Sequence, residues 1–494
     1  MKTAQLISAF GLLLAGTACS SNPEVTFTPS STEQYRPDYH FTPAKGWMND
    51  PNGMFYLDGE YHLFFQHYPD STVWGPMHWG HAISKDLVTW EELPIALYPD
   101  SLGYIFSGSA VLDEENSSGL GTAENPPIVA IFTYHDMAGE KSGKIDFQTQ
   151  GIAFSLDKGR TWTKYEGNPV LPNPGIKDFR DPKVSQVTLQ DGSKSWVMTL
   201  TAQDRVKFYQ SSDLKNWTAW GEFGQGIGAH GVVWECPDLI PLTAPDGSQK
   251  WVLLVSINPG GPQKGSATQY FIGDFKNGLF TPDDTMIRWL DYGPDNYAGV
   301  TWANVPKEQN RTLFIGWMSN WLYAQVVPTQ TWRSAMTLSR ELSLFDVDGT
   351  LLVKSAPVKE LETLRKEPIE VNKQSNLPSQ AVEILAELDG SDAFSLTISN
   401  ELGEQVNITK EFGLVSIDRS KAGKSDFNED FAAMHSAPMS WEAKEIRIFL
   451  DASSIELFVN GGELVMTSLV FPRSPWKKIE FHQGIDEATL FQLK

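Results

Sequence analysis

Three carboxylates stand in surroundings more specific than a solvated surface group needs. Asp50 lies in "GWMNDPNG" (Gly46 to Gly53), Asp181 in "FRDPK" beside Arg180, and Glu235 in "VWECPDL" between Trp234 and Cys236-Pro237. Each is next to a proline or one residue from it, so the local backbone is constrained. An Asp in a turn is by default a solvated group, and each of these alone says little. Glu235, flanked by indole, thiol and proline, is expected to be partly desolvated. Burial raises a carboxyl pKa, the property that a general acid working near neutral pH needs. Paired carboxylates among many tryptophans suit glycoside hydrolysis. In its retaining form one carboxylate attacks the anomeric carbon and the other protonates the leaving oxygen, the two being about 5–5.5 Å apart. Spacing along the chain does not supply that convergence; the fold must.

The elements that could supply it are strands. From residue 36 to 345 short apolar runs alternate with turns: "YHLFFQHY", "PIVAIFTYH", "SWVMTLTA", "KWVLLVSIN" and "RTLFIGWM". Near-continuous apolar runs of this length suit strands buried on both faces. A local repeat supports the reading. "SKDLVTW", "SLDKGRTW" and "SSDLKNW" share Ser, Asp and a closing Trp, as expected of a tight turn followed by a returning strand. Their unequal spacing suits blades with variable loops, hence a β-propeller, with a large sandwich as the alternative. In a propeller the inner strands start around one axis, so distant residues can meet.

Residues 346–366 read as a linker, with "DVDGT" a turn and "APVKELETLRKE" the best short helix candidate. From 367 to 494 tryptophan thins out and alternation becomes clean in "KEIRIFLD" and "SSIELFVNGGEL", where Asn460-Gly461 offers a type I′ turn. This is a second all-β domain, expected as a sandwich with one wet face per sheet.

The net charge of −22 is dispersed over 494 residues, which argues against nucleic acid and anionic membrane surfaces as partners and leaves a neutral substrate unaffected. Of 17 Trp, 15 lie between Trp47 and Trp332, where they either stack on sugar rings or pack a β-rich core. Residues 1–19 read as an export signal, with Lys2, an apolar stretch and small residues before Cys19. That pattern suits a bacterial lipoprotein lipidated at Cys19, the alternative being an ordinary cleaved secretory peptide. Residues 20–35 then form a flexible tether. The expected location is an outer membrane, cell surface or periplasm-facing leaflet, with membrane contact only through the anchor. The second cysteine, Cys236, is left without a disulfide partner if Cys19 is lipidated. It reads either as a weak S–H donor tuning Glu235 or as a small buried filler. His78 and His81 in "HWGH" lack further ligands, and no phosphate-cradling loop occurs, so neither metal nor cofactor is expected.

Taken together, "HFTPAKGWMNDPNG", "LFFQHYP", "WGPMHWGHAISKDLVTWEELPIAL", "YIFSGSAV", "FRDPK", "WECPDL", "SINPGG", "GSATQYFIGDF", "DYGPDNYAGVTW", "GWMSNW" and "WRSAMTLSREL", in this order, resemble glycoside hydrolase family 32, the invertases, inulinases and levanases. The resemblance implies an all-β chain, a five-bladed β-propeller catalytic domain with a funnel-shaped site followed by a C-terminal β-sandwich. It implies a retaining hydrolase of β-D-fructofuranosyl linkages in fructans or fructo-oligosaccharides, with sucrose a further substrate. By position it makes Asp50 the nucleophile, Glu235 the acid/base and Asp181 the transition-state stabiliser. Asn49, Gln66, Trp74, Phe106, Ser107, Arg180, Tyr297 and Trp317 would line the fructose subsite. Within the opening stretch, Trp47 would supply an apolar wall while Pro51 and Gly53 fix and permit the bend. An exo-acting enzyme releasing fructose is the favoured reading, with an endo-acting levanase or inulinase as the alternative; the linkage stays open. Two rivals come from elsewhere. "SLDKGRTW" fits a box that recurs in sialidases, although Asp50 has no arginine cluster or tyrosine nucleophile around it. A non-catalytic glycan-binding lipoprotein would not need all three carboxylates.

Overall fold

The structure, a computed structural model, describes residues 33–189, 191–391 and 393–493. The export segment 1–19, Cys19 and residues 20–32 of the tether lie outside the described residues. Among the described residues no helix is long and apolar enough to cross a membrane.

Five sheets, each built on four antiparallel strands and the first and last carrying one short extra strand, follow one another along the chain, each beginning with its inner strand. Those inner strands are Gly46–Leu57, Tyr104–Leu112, Phe179–Thr188, Val233–Thr243 and Tyr297–Thr301, and each touches the next, the fifth returning to the first. That closed ring defines a five-bladed propeller. Trp332–Arg333, from the last blade, pairs in parallel with Gly46–Trp47 and helps to close the circle. The apolar runs lie in the middle of blades, where neighbouring sheets cover both faces. Ile128–His135 is buried at every position, as period-free hydrophobic strands should be.

The Ser-x-Asp boxes are the turns between third and fourth strands of the first three blades. Asp86, Asp157 and Asp213 each accept backbone N–H groups across their turn. The next residue, Leu87, Lys158 or Leu214, is left-handed in all three. Trp90, Trp162 and Trp217 each stand one residue before the fourth strand. A side-chain-capped turn therefore recurs at the same place in each of the first three blades, and loops of different length make its spacing irregular.

Two expectations change. The fifth blade continues past residue 345, because Arg340–Val347 pairs with Thr350–Pro357 along its whole length. "DVDGT" is thus a hairpin turn inside the blade rather than the start of a linker. The expected helix is confined to a 3-10 turn at Lys359–Leu364, followed by strand Arg365–Val371. Its buried residues are Leu361 and Leu364, spaced by three with nothing one turn further on, so no α-helical stripe exists to bury.

The C-terminal sandwich has two six-stranded sheets. One shows the expected alternation, as in Phe394–Ser399, buried at every second residue. The other departs from it, since Ser454–Val459 and Leu464–Leu469 are buried throughout. Phe449, Phe458 and Val465 join the core of the propeller, so this sheet has no wet face along these strands. Asn460 and Gly461 are both left-handed, but Val459 pairs with Leu464, giving a four-residue connection instead of a two-residue turn. Buried charges cross the junction: Arg340, which also donates to Asp291 of its own domain at 2.9 Å, donates to Glu456, and His40 lies between Asp451 and Glu456 at 2.7 and 2.9 Å. Pairing of this kind is what makes fully desolvated charges tolerable.

Candidate active site

Every inner strand loses register with its neighbour near the end where it begins, two residues opposing one, and the first does so again at Gly53-Met54. The doubled residues are Asn49-Asp50 against Gln66, Phe106-Ser107 against Thr133, Asp181-Pro182 against Leu200, Cys236-Pro237 against Val255, and Ala298-Gly299 against Gly316. Such bulges bend a strand and re-aim its side chains. Five of them at one end of one ring turn side chains from all five blades toward the axis. The prolines beside the carboxylates now have a reason. Pro182 and Pro237 occupy bulge positions, where a missing N–H leaves no ladder bond unmade. Asp181, Cys236 and Ala298 sit at φ +63°, +45° and +52°, a conformation non-glycine residues hold only where the surroundings impose it.

The opening stretch supplies a fixed carboxylate. The Trp47 indole N–H donates to Asn49 Oδ1 at 2.6 Å, and the Asn49 amide donates to Asp50 Oδ1 at 2.9 Å. From the second blade Ser107 Oγ donates to Asp50 Oδ2 at 2.7 Å. From the fourth, the Cys236 thiol lies 3.6 Å from Asp50 Oδ2 and 3.6 Å from Asp181 Oδ2, while its backbone N–H donates to Asp181 Oδ2 at 3.0 Å. Cys236 therefore addresses Asp50 and Asp181 rather than Glu235. Glu235 is held by other groups: Arg180 donates to its Oε1 through Nε and Nη2 at 3.0 and 2.9 Å, and the Tyr297 hydroxyl donates to Oε2. Arg180 is in turn steadied by Asp178 at 2.8 Å.

Glu235 is partly desolvated as expected, but not by the indole beside it. Trp234 is fully buried in a core cluster, because adjacent strand residues point to opposite faces. The Glu235 side chain keeps 19% exposure. Burial pushes Asp50 up, with the charge of Glu235 adding and the bonds from Asn49 and Ser107 opposing. Burial also takes Asp181 up to about 7, against the pull of Arg180 and with the charges of Glu235 and Asp50 adding. Three carboxyls this close resist carrying three charges, so the cluster retains a proton into mildly acidic conditions. Burial and the neighbouring carboxylates hold the Cys236 thiol and the Tyr297 phenol well above their ordinary values, so both stay protonated donors.

At the site, two buried donors have no hydrogen-bond partner among the described residues: Gln66 Nε2 and the Trp317 indole N–H. Gln66 stands opposite the Asn49-Asp50 bulge, and Trp317 pairs with Tyr297 and packs 6.0 Å from Trp47. An unsatisfied buried donor costs roughly 1–3 kcal/mol, which an acceptor-rich ligand such as a sugar would recover. Trp74 and Phe106 meet edge to face at 6.0 Å and are partly buried. The structure thus gathers Asn49, Asp50, Ser107, Arg180, Asp181, Glu235 and Tyr297 into one bonded cluster, with Gln66 and Trp317 packed against its members. Trp74 reaches it through Phe106, next to Ser107.

Sequence reasoning passed over three participants. Trp321, partly buried, stacks on Trp47 at 5.7 Å and lies 5.0 Å from Trp317; its signal was the second indole of "GWMSNW". His135 lies flat beneath Phe106 at 4.2 Å. Thr133 Oγ1 accepts the Asp181 N–H at 3.0 Å, a contact with no local signature. His81 stacks on Phe64 and bonds His62 at 3.0 Å. Among the described residues no group of three or more His, Cys, Asp or Glu could hold a metal ion.

A carboxylate fixed on both oxygens, a second carboxyl gripped by a guanidinium and a phenol, and a third at the floor can perform nucleophilic and acid/base chemistry on one bound ring. Comparison with known proteins agrees. The N-terminal domain model of glycosyl hydrolases family 32 matches residues 40–355, and the C-terminal model of that family matches 352–493. The chain is 46% identical over 473 residues to a levanase of Bacillus subtilis (strain 168), covering 91% of this chain and 68% of that one. It is 37% identical over 499 residues to an extracellular exo-inulinase of Aspergillus awamori, covering 91% and 92%. Among solved structures it resembles the Aspergillus awamori exo-inulinase, with a TM-score of 0.84, 34% identity and coverage of 93% and 98%. It also resembles the Schwanniomyces occidentalis β-fructofuranosidase complexed with fructosyl-erythritol, with a TM-score of 0.82, 32% identity and coverage of 94% and 99%.

Proposed function

The chain belongs to glycosyl hydrolase family 32, and from that premise we propose how its carboxylates divide the work. It is a glycosidase, a β-fructosidase of fructans and sucrose. Asp50 attacks C2 of the bound fructosyl unit while Glu235 gives its proton to the departing oxygen, breaking the C2–O bond and leaving a fructosyl ester on Asp50. Glu235, now a carboxylate, takes a proton from a water whose oxygen attacks C2, which frees fructose and restores Asp50. Asp181 holds ring hydroxyls as the sugar becomes oxocarbenium-like. Asn49, Gln66, Trp74, Phe106, Ser107, Trp317 and, beyond them, Trp321 bind the fructose, whose oxygens take up the spare donors of Gln66 and Trp317. Arg180 and Tyr297, expected as subsite residues, act mainly by orienting Glu235. The observation that carries this reading is the grip on Asp50 by Asn49 and Ser107 with Cys236 and Asp181 alongside. It is preorganised before substrate arrives, as transition-state stabilisation requires.

We favour exo action, with single fructose units released. Trp47, which bonds Asn49, Trp317, which packs on Trp47, and Gln66, opposite the Asn49-Asp50 bulge, are all buried, which supports a pocket closed behind one residue of the substrate. A chromatographic time course on levan, inulin and sucrose tests it. Fructose alone from the earliest point is expected, the faster polymer naming the preferred linkage. An early ladder of oligosaccharides would mean an open groove and endo action.

We also propose that the enzyme is exported and held to a membrane by lipid at Cys19; the sequence pattern before that residue and relatives named extracellular support it. Cys19→Ala should move activity from the membrane pellet to the soluble fraction. Activity still sedimenting with membranes would exclude the anchor.

A further inference from the structure

A cleft of about 630 Å³ opens where the fifth blade meets the sandwich, lined by the Phe345–Asp348 turn and by sandwich turns carrying Glu387, Trp441 and Asn460. That volume is in the range of small-molecule sites. It is far from the catalytic cluster. Strand Arg340–Val347 and inner strand Tyr297–Thr301 each pair antiparallel with Thr312–Met318, so they run the same way. The inner strand begins at the active site; Arg340–Val347 therefore ends, with its turn, at the opposite end of the blade.

We propose that this cleft is a second, non-catalytic binding site for oligosaccharide segments of the enzyme's own fructan substrate, with Trp441 as its stacking platform. The indole is fixed from behind. Its N–H donates to Glu463 Oε2 at 2.9 Å, and the same oxygen accepts the Asn460 amide at 2.8 Å. Phe345 packs against the ring with centroids 6.0 Å apart. With its one polar atom satisfied, Trp441 has only its ring to offer a ligand, and a rigid ring loses little entropy on binding. The rest of the lining selects the ligand. Asp346, Asp348, Glu387, Glu442 and Glu445 face a single cation, Lys444. This rim repels anions and offers many acceptors to hydroxyl groups. No cluster with metal-holding geometry occurs among the described residues, so a neutral polyol suits the cleft better than a metal ion. A polymer held here is retained near the enzyme while a free chain end is worked on at the other face, which raises the effective concentration of ends. The inference rests on the fructan reading of the active site.

The test uses the full chain with Trp441→Ala and, because that side chain also packs on the sandwich core, a double variant at exposed positions, Glu442→Gln with Glu445→Gln. Sucrose reports the catalytic pocket alone; levan and inulin report both sites, by kinetics and by retardation in gels containing the polymer. Trp441→Ala is expected to leave kcat and KM on sucrose unchanged, to raise the polymer KM roughly 5-fold, and to weaken retardation. The double variant should move both polymer readouts the same way. Folded variants with wild-type polymer KM and retardation would overturn the cleft assignment while leaving the active-site reading intact. A wild-type enzyme inactive on sucrose, levan and inulin would instead sink the fructan reading beneath it.

Discussion

Asp50→Asn should lower turnover of levan, inulin and sucrose by on the order of 10⁴-fold or more, with the thermal unfolding transition little changed. The amide has the shape of the carboxylate: its oxygen still accepts from Asn49, and the Ser107 hydroxyl can turn to accept from the new NH2 group. What disappears is the nucleophile. Without it no fructosyl ester forms, and no other carboxyl is placed to substitute, since Asp181 is committed to Cys236 N–H and Glu235 to Arg180 and Tyr297. The check is kcat on sucrose together with mass spectrometry of the quenched enzyme during turnover. A fructosyl adduct should appear on wild-type Asp50 and be absent from the variant. A kcat within about tenfold of wild type would remove Asp50 from the nucleophile role.

Glu235→Gln should cost about 10² to 10⁴-fold on natural substrates, and its signature is dependence on the leaving group. A glutamine cannot protonate a departing sugar oxygen, yet it keeps the position that Arg180 and Tyr297 define. An aryl β-fructofuranoside whose phenolate departs without help should therefore still form the fructosyl ester, producing a burst of phenol. The second step, which needs a base, should then be slow and respond to an added small anion such as azide. Equal losses on sucrose and on the activated aryl substrate would show that Glu235 acts only by position or charge.

The two carboxylates differed in how well their neighbours could be read. The stretch around Asp50 is a bulged strand rather than the expected turn, yet part of its site was legible because Trp47 and Asn49 lie within three residues and form a bonded chain onto the carboxylate. Glu235 is partly buried as expected, but by other neighbours, because flanking residues in a strand face away from each other and Trp234 says what lies behind the strand rather than what surrounds Glu235. Its real partners, Arg180 and Tyr297, lie in the inner strands of two neighbouring blades. Cys236 shows the same limit. Its bulged, left-handed backbone swings the thiol toward Asp50 and Asp181, a direction no alternation rule predicts. The end of the fifth blade was missed for a related reason. "TLLVKSAP" has too little apolar content to stand out, and it is a strand because Arg340–Val347 lies beside it.

The sequence by itself determined the kinds of group available, the capped turns of the first three blades, the all-β character and the division into a tryptophan-rich and a tryptophan-poor half. These depend on residue type and short-range pattern, which the chain carries locally. Tertiary structure decided which groups meet and what state they are in. The five two-for-one bulges are statements about register between strands, and desolvation of Asp50 and Asp181 follows from how many blades enclose them. Both are properties of pairs of distant segments, created only when the ring closes and brings five strand ends to one axis.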